Sequence, residues 1–160
     1  DGIALSGDLP PALRAARGAF VTLRERGQLR GCIGYITPSK SLAATVRDVA
    51  ALAALHDSRF KPAREDELSN IDYEISVLSP LRRVADINDV RIGRDGLVVR
   101  KGHNQGLLLP QVPAEFGWKD PVTFAEQTSM KAGLWPNAWN DSDADLFAFE
   151  ALVFGEKDNP

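Results

Sequence analysis

The only cysteine of the chain lies in the segment 29–34, Leu-Arg-Gly-Cys-Ile-Gly, between two glycines and two residues after an arginine. Alternate residues of a strand share a face, so Arg30, Cys32 and Gly34 are expected to point the same way. A guanidinium beside a thiol favours the thiolate, which attacks electrophiles and binds metals. Glycine lets a ligand or another backbone approach closely. The segment therefore predicts a catalytic pair, Cys32 and Arg30, with Gly31 and Gly34 lining a ligand site.

A structural role for Cys32 is the alternative, because a free cysteine is often buried as a small hydrophobic side chain. A single cysteine cannot form an internal disulfide, so the fold does not depend on an oxidising compartment. We find no charged-then-apolar leader and no apolar stretch of about 20 residues. A cytoplasmic location without membrane contact is therefore expected.

Length and composition predict one globular domain. The chain has 160 residues, of which 44% are hydrophobic and 26% are charged. A chain of this length and composition is able to form a hydrophobic core without disulfides or a structural metal. The net charge of −3 argues against a surface that neutralises many phosphates. No nucleotide-binding fingerprint is present, and the two histidines lack a short metal-ligand spacing, so we predict no cofactor and no metal.

Hydrophobic periodicity and turn residues indicate two principal helices and several short strands. The second helix has the clearest signals at its ends, with Asp120 as N-cap, Pro121 at the first position and Gly133 as a left-handed C-terminal cap. The expected helices span 41–56 and 121–132, and the expected strands lie at 20–24, 29–36, 71–77, 90–93, 97–101, 107–109 and 146–154.

Several sequence blocks, in order, resemble one known family. They include Gly-Ala-Phe-Val-Thr-Leu-Arg-Glu-Arg-Gly-Gln-Leu-Arg-Gly-Cys-Ile-Gly at 18–34, Ile-Ser-Val-Leu-Ser-Pro at 75–80, Leu-Leu-Leu-Pro-Gln-Val at 107–112, Glu-Phe-Gly-Trp at 115–118 and Lys-Ala-Gly-Leu at 131–134. The chain resembles the AMMECR1 domain, the A component of the AmmeMemoRadiSam system, over roughly residues 18–155.

The resemblance implies an α+β fold in two parts with a cleft between them. We expect a mainly antiparallel sheet with the two principal helices, and a smaller second β-rich subdomain. The whole chain, 1–160, is then one AMMECR1-like domain. Its larger subdomain is expected at about 18–80 and 140–156, and its smaller one at about 81–139.

Arg59 follows the end of the first helix, from which its side chain is expected to hold an anionic group bidentately next to Cys32. Asp57, Arg59 and Phe60 match the motif of the family, whereas Ser58 replaces the proline that is usual there. The alternative for Arg59 is a bond to helix-end carbonyls or an ion pair with Asp57.

Three further residues are candidate ligand-binding positions. Glu115 is a candidate base, Trp118 is able to stack on a flat ligand, and Lys131 is a candidate for assisting proton transfer. Each has a structural alternative: a surface ion pair for Glu115, an edge-of-core position for Trp118, and a charge that caps the helix for Lys131.

Two functions from different classes follow. In the first, the protein is an enzyme or enzyme component with Cys32 at its centre, and the family resemblance implies work with a Memo-type protein and a radical S-adenosylmethionine enzyme on an unidentified small molecule or protein. In the second, it is a non-catalytic module that binds a partner protein or presents a substrate to it. RNA binding through Arg24, Arg26 and Arg30 ranks last because of the negative net charge.

Overall fold

The computed structural model describes residues 7–158, and the chain divides into two units. The first unit takes in residues 7–78 and 152–158, and the second takes in residues 79–151. The predicted single domain also covers residues 1–6 and 159–160, which lie outside the described residues. The elements are α1 (Pro11–Arg14), β1 (Ala19–Glu25), β2 (Gln28–Tyr35), α2 (Leu42–Leu55), β3 (Ile71–Leu78), β4 (Arg82–Arg83), β5 (Gly96–Lys101), β6 (Asn104–Leu108), α3 (Val112–Phe116), α4 (Pro121–Lys131), β7 (Ala144–Phe149) and β8 (Ala151–Gly155).

The expected fold class is confirmed as α+β, with two four-stranded antiparallel sheets and two main helices. The first sheet has the strand order β2-β1-β3-β8, and the second has the order β4-β7-β5-β6. No helix among residues 7–158 combines the length and the apolar character that crossing a membrane requires.

A tight hairpin turn joins β1 to β2, because the residues between the expected strands 20–24 and 29–36 include Gly27, the residue type that such a turn favours. Arg26 and Gly27 form the turn, with φ angles of 51° and 82°. Positive φ at both central residues is typical of a type I′ turn, whose twist matches that of the flanking strands. Glycine at the second position adopts this conformation without a steric cost.

A β-bulge interrupts the hairpin a short distance from the turn. Arg24 pairs with Leu29, but Leu23, one residue further from the turn on β1, pairs with Gly31. Arg30 is therefore the extra residue on β2, and strict alternation along the strand fails at this position. The prediction that Arg30 points the same way as Cys32 and Gly34 assumed strict alternation, which the bulge breaks.

The bulge determines which face of the sheet carries the cysteine. Beyond the bulge, Cys32 pairs with Thr22, whereas continuing the register of the turn would have placed Cys32 opposite Val21. Val21 lies on the face that packs against α2. Because a shift of one residue exchanges the two faces of a strand, Cys32 lies on the face opposite α2.

Helix α2 covers the other face of the first sheet. Ser41 is its N-cap, with its side chain accepting a hydrogen bond from the backbone N–H of Ala44. The apolar residues of β3 are covered unevenly: Ile75 packs against this core, whereas Tyr73 is 44% exposed. The buried members of the core are Val21, Leu23, Val49 and Ala53.

The second unit has its own core beneath α4. Residues 97–99 of β5 are fully buried, as is Phe124 of α4. The complete buried cluster consists of Val90, Leu97, Val99, Phe124, Ala125, Leu146 and Ala148.

Two strand predictions were wrong. The expected strand at 146–154 is two strands, because β7 pairs with β5 and β4 in the second sheet, whereas β8 lies beside β3 in the first. Residues 90–93 form no strand but enter a turn in which Asp95 accepts a hydrogen bond from the backbone N–H of Arg91. The alternation of apolar residues at 146–154 correctly indicated β structure. It did not indicate where the chain passes from the second sheet to the first.

Both predicted caps of α4 are confirmed. Asp120 accepts a hydrogen bond from the backbone N–H of Thr123 at 2.8 Å, which lowers the pKa of Asp120. At the other end Gly133 has a φ of 76°, and Leu134 donates its N–H to the carbonyl of Ser129 at 3.0 Å. This pattern is a Schellman motif, which satisfies carbonyls that the helix leaves open.

We expect Asp120→Ala to lower the free energy of unfolding by about 1 kcal/mol, because the first turn of α4 loses its cap. Chemical denaturation at pH 7 measures the change. Asp89→Ala is the matched control, since Asp89 is an exposed aspartate of the same unit, and we expect a change within about 0.5 kcal/mol. Equal effects of the two substitutions would contradict the capping role.

Candidate functional site

The side chain of Cys32 faces a hydroxyl donor on the neighbouring strand. The Thr22 hydroxyl donates to the Cys32 sulfur across 3.3 Å. Thr22 is 6% exposed, whereas Cys32 is partly accessible and free of any disulfide. A hydroxyl at this distance is able to donate a hydrogen bond to the sulfur.

The backbone of Cys32 is held from outside the sheet. β2 is an edge strand, and the amide and carbonyl of Cys32 bond to the segment after α2 rather than to another strand. The amide N–H donates to Asp57 Oδ2 at 2.9 Å, and the carbonyl accepts from Arg59 Nη2 at 3.2 Å. One charged pair thus occupies both hydrogen-bonding groups that the edge leaves open at this residue.

Asp57 and Arg59 form a bidentate ion pair. Arg59 Nε donates to Asp57 Oδ1 at 2.9 Å, and Arg59 Nη2 donates to Asp57 Oδ2 at 2.7 Å. Hydrogen bonds from the Arg59 guanidinium and the Cys32 N–H hold the pKa of Asp57 well below its usual range, against the opposing effect of burial. Asp57 is therefore a carboxylate at neutral pH, and Arg59 takes the role that the sequence left as the alternative to binding an anion.

Arg30 also has a carboxylate partner within the chain. Its Nη2 donates to Glu67 Oε2 at 2.9 Å, and the same oxygen accepts from the backbone N–H of Arg64 at 2.8 Å. These two donors, the Arg64 N–H first, lower the pKa of Glu67. The partner expected for Arg30 was the Cys32 thiol, whereas the partner that the structure shows is Glu67.

The two glycines that flank Cys32 have neighbours from the chain itself. A Cβ atom on Gly31 would lie 2.2 Å from the backbone oxygen of Ala53, so glycine here lets α2 approach β2. A Cβ atom on Gly34 would lie 2.2 Å from the Phe20 ring. The sequence suggested that these glycines allow close approach of either a ligand or another part of the chain. The structure shows close approach of the chain itself at both positions.

The three remaining predicted residues belong to the second unit. Glu115 is exposed on α3, and Lys131 is exposed at the last position of α4. Trp118 packs at the edge of the second core and stacks on Phe116, with ring centroids 5.0 Å apart. Their convergence with Cys32 in one binding site stays a prediction.

Sequence reasoning missed Thr22 as a neighbour of the thiol. The hairpin turn alone would pair Thr22 with Gly31, and only the bulge at Arg30 brings Thr22 opposite Cys32. Glu67 was missed as well, because nothing local in the sequence links residue 67 to residue 30. Within residues 7–158, no three His, Cys, Asp or Glu side chains are grouped so as to hold a metal ion.

The fold and the site define an α+β protein whose one thiol lies on an edge strand closed by a charged pair. The AMMECR1 family model matches residues 3–154. A protein of Methanothermobacter thermautotrophicus is 45% identical over 158 residues, covering 95% of this chain and 82% of that protein. Protein PH0010 of Pyrococcus horikoshii is 41% identical, covering 94% of this chain and 77% of its own length.

A solved structure is similar over nearly the whole chain. The crystal structure of uncharacterized protein PH0010 from Pyrococcus horikoshii superposes with a TM-score of 0.91 at 40% identity, covering 97% of this chain and 81% of that one. The chain belongs to the AMMECR1 family.

We expect Asp57→Ala to lower the free energy of unfolding by about 2–3 kcal/mol, because it leaves the Cys32 N–H and the Arg59 guanidinium without their acceptor. Chemical denaturation at pH 7 measures the loss. Asp66→Ala is the control, since the Asp66–Arg64 ion pair is solvent-exposed, and there we expect about 0.5 kcal/mol or less.

The loss from Asp57→Ala is expected to depend on pH. The folded state lowers the pKa of Asp57, so its contribution is present above the ordinary aspartate value of about 3.9 and fades as the pH falls below it. The gap between wild type and variant therefore narrows from pH 7 to pH 3. A gap that stays constant or widens would contradict the ion pair.

Proposed function

We propose that the protein is an enzyme, or a component of one, whose reaction uses the Cys32 thiol as a nucleophile. The observation that carries the proposal is the 3.3 Å contact from the Thr22 hydroxyl to the Cys32 sulfur, on the sheet face opposite α2. A cysteine that served only to fill the core would lie among the apolar side chains beneath α2. Cys32 is instead a partly exposed residue whose sulfur lies next to a hydroxyl donor.

Rigid positioning supports the same proposal. A nucleophile reacts fastest when its geometry is fixed before the substrate arrives. The Asp57–Arg59 pair holds both backbone groups of Cys32, and the Thr22 hydroxyl contacts its side chain. The residue is thereby held at three atoms, and it remains partly exposed.

The partners that we propose are a Memo-type protein and a radical S-adenosylmethionine enzyme. The support is the resemblance described above, which implies that the AMMECR1 domain is the A component of a system named after those two proteins. The thiol would then act on a small molecule or protein substrate shared with these partners.

A non-catalytic module that presents a substrate is the second candidate. One observation favours it: Arg30 and Arg59, the two cations expected to activate the thiol and hold an anion, both pair with carboxylates of the chain. A module of this kind needs a stable edge strand but no reactive sulfur. The reactivity of Cys32 therefore separates the two candidates.

We expect native Cys32 to react with iodoacetamide at pH 7 faster than a peptide of sequence Leu-Arg-Gly-Cys-Ile-Gly does. Thr22→Val is expected to slow the native reaction about fivefold, the equivalent of one lost hydrogen bond of about 1 kcal/mol. Mass spectrometry over pH 5 to 10 measures both rates, and because Cys32 is the only cysteine the labelled site is unambiguous.

Thr128→Val is the matched control. Thr128 is buried like Thr22, but its hydroxyl donates to the Phe124 carbonyl within α4, so the labelling rate should not change. A thiol that stays inert until denaturant is added would contradict nucleophilic catalysis and favour the presenting module.

A further inference from the structure

A row of three side chains runs across the face that carries Cys32. Thr22 pairs with Cys32 on one side and with Glu74 on the other, so the three residues lie side by side on β2, β1 and β3. Neighbouring strands are about 4.8 Å apart, which places Glu74 roughly 10 Å from Cys32 across the sheet. A ligand of modest length that reached the sulfur would also reach this carboxylate.

Glu74 is half-buried, and among residues 7–158 its carboxylate has no hydrogen bond or ion pair. On the side away from β1, the neighbouring strand presents Gly155, where a Cβ atom would lie 3.6 Å from the Glu74 Cα. Glycine has no side chain that could pair with the acid. The Glu74 side chain is therefore available to a cationic ligand.

Ser76 gives an independent sign that a polar ligand binds this face. It lies two residues from Glu74 on the same strand, so the two side chains share a face. Ser76 is 1% exposed, and its hydroxyl has no hydrogen-bond partner within the described part of the chain. Buried hydroxyls are normally satisfied, so this one lacks the donor or acceptor that a bound molecule would supply.

The charges around Glu74 can be assigned row by row. Toward the hairpin turn, Arg24 lies opposite Asp72 in the strand register, and Asp72 forms an ion pair with Lys157 at 2.6 Å. In the rows that contain Cys32 and Ser76, Glu74 is the one charged side chain on β1, β2 and β3. A ligand lying between the sulfur and Ser76 therefore meets a negative charge.

We propose that this face binds a cationic substrate, with an amine or guanidinium group placed against Glu74 while its electrophilic centre lies at the Cys32 sulfur. The inference rests on the proposed function of Cys32 and names the class of its substrate. It replaces the anionic substrate expected for Arg59, whose guanidinium is held by Asp57. Glu74 is the residue that determines specificity, and Ser76 supplies a further hydrogen bond.

Two thiol reagents of similar size and opposite charge test the proposal. They are the trimethylammonium-ethyl and sulfonatoethyl methanethiosulfonates. In each reaction the Cys32 thiolate attacks the sulfur that carries the charged ethyl group. A disulfide forms between Cys32 and that group, the bond to the sulfonyl sulfur breaks, and methanesulfinate leaves. Each rate is divided by the rate of the same reagent with the Leu-Arg-Gly-Cys-Ile-Gly peptide, so that intrinsic reactivity cancels.

We expect the normalised labelling rate of the cationic reagent to exceed that of the anionic reagent about tenfold in the native protein. Attraction between the trimethylammonium group and Glu74, across several ångströms at an intermediate dielectric constant, accounts for this ratio. Glu74→Gln should abolish this preference. Asp72→Asn is the matched control, because it removes a carboxylate of the same strand and face that already has a cation partner, and it should leave most of the preference in place.

The outcomes separate the inference from the proposed function. If neither reagent labels the folded protein, the thiol is inert and the proposed function fails. If both reagents label it equally, or if the preference survives Glu74→Gln, the thiol is reactive but the cationic-substrate inference is wrong. If Glu74→Gln abolishes the preference, the inference stands. Protection of Cys32 by butylamine or by a lysine-containing tetrapeptide then distinguishes a small amine from a peptide as the source of the cation.

Discussion

The ion pair between Asp57 and Arg59 closes the outer edge of the first sheet at Cys32, and the arrangement around the thiol depends on it. An edge strand exposes backbone N–H and C=O groups that are able to pair with another chain. Here a carboxylate accepts from the Cys32 N–H while a guanidinium donates to the Cys32 carbonyl. The pair thus replaces one residue of a neighbouring strand. Because it follows directly after α2, the helix that covers the core also delivers the groups that fix the thiol's backbone.

The bulge at Arg30 is the second constraint, since it separates the two roles of the glycine-flanked segment. Gly31 faces α2 and allows close packing, whereas Cys32 faces the polar side beside Thr22. Without the extra residue, Cys32 would have been turned toward the core. A single irregularity in register therefore gives one short segment both a packing face and a chemical face. The arginine displaced by the bulge is held by Glu67.

Features set by local chemistry could be predicted from the sequence. The hairpin turn, the two helices and the caps of α4 follow from glycine, proline and aspartate at particular positions, and the structure confirms them. Features set by pairing between distant residues could not. The bulge at Arg30, the contact between Arg30 and Glu67, and the division of 146–154 between two sheets depend on which strand lies alongside, and local patterns do not encode this. Cys32 was found from its type and neighbours, whereas Thr22 needed the observed register.

Amide hydrogen exchange at Cys32, compared with Ile33, tests the role of the ion pair most directly. The Cys32 N–H faces Asp57, whereas Ile33 is the next residue of the strand, and its N–H faces β1. We expect both amides to be protected in the wild type, and we expect Asp57→Ala to make Cys32 exchange much faster relative to Ile33. Equal acceleration of the two amides, or a Cys32 amide that is unprotected in the wild type, would contradict the claim that this pair closes the edge.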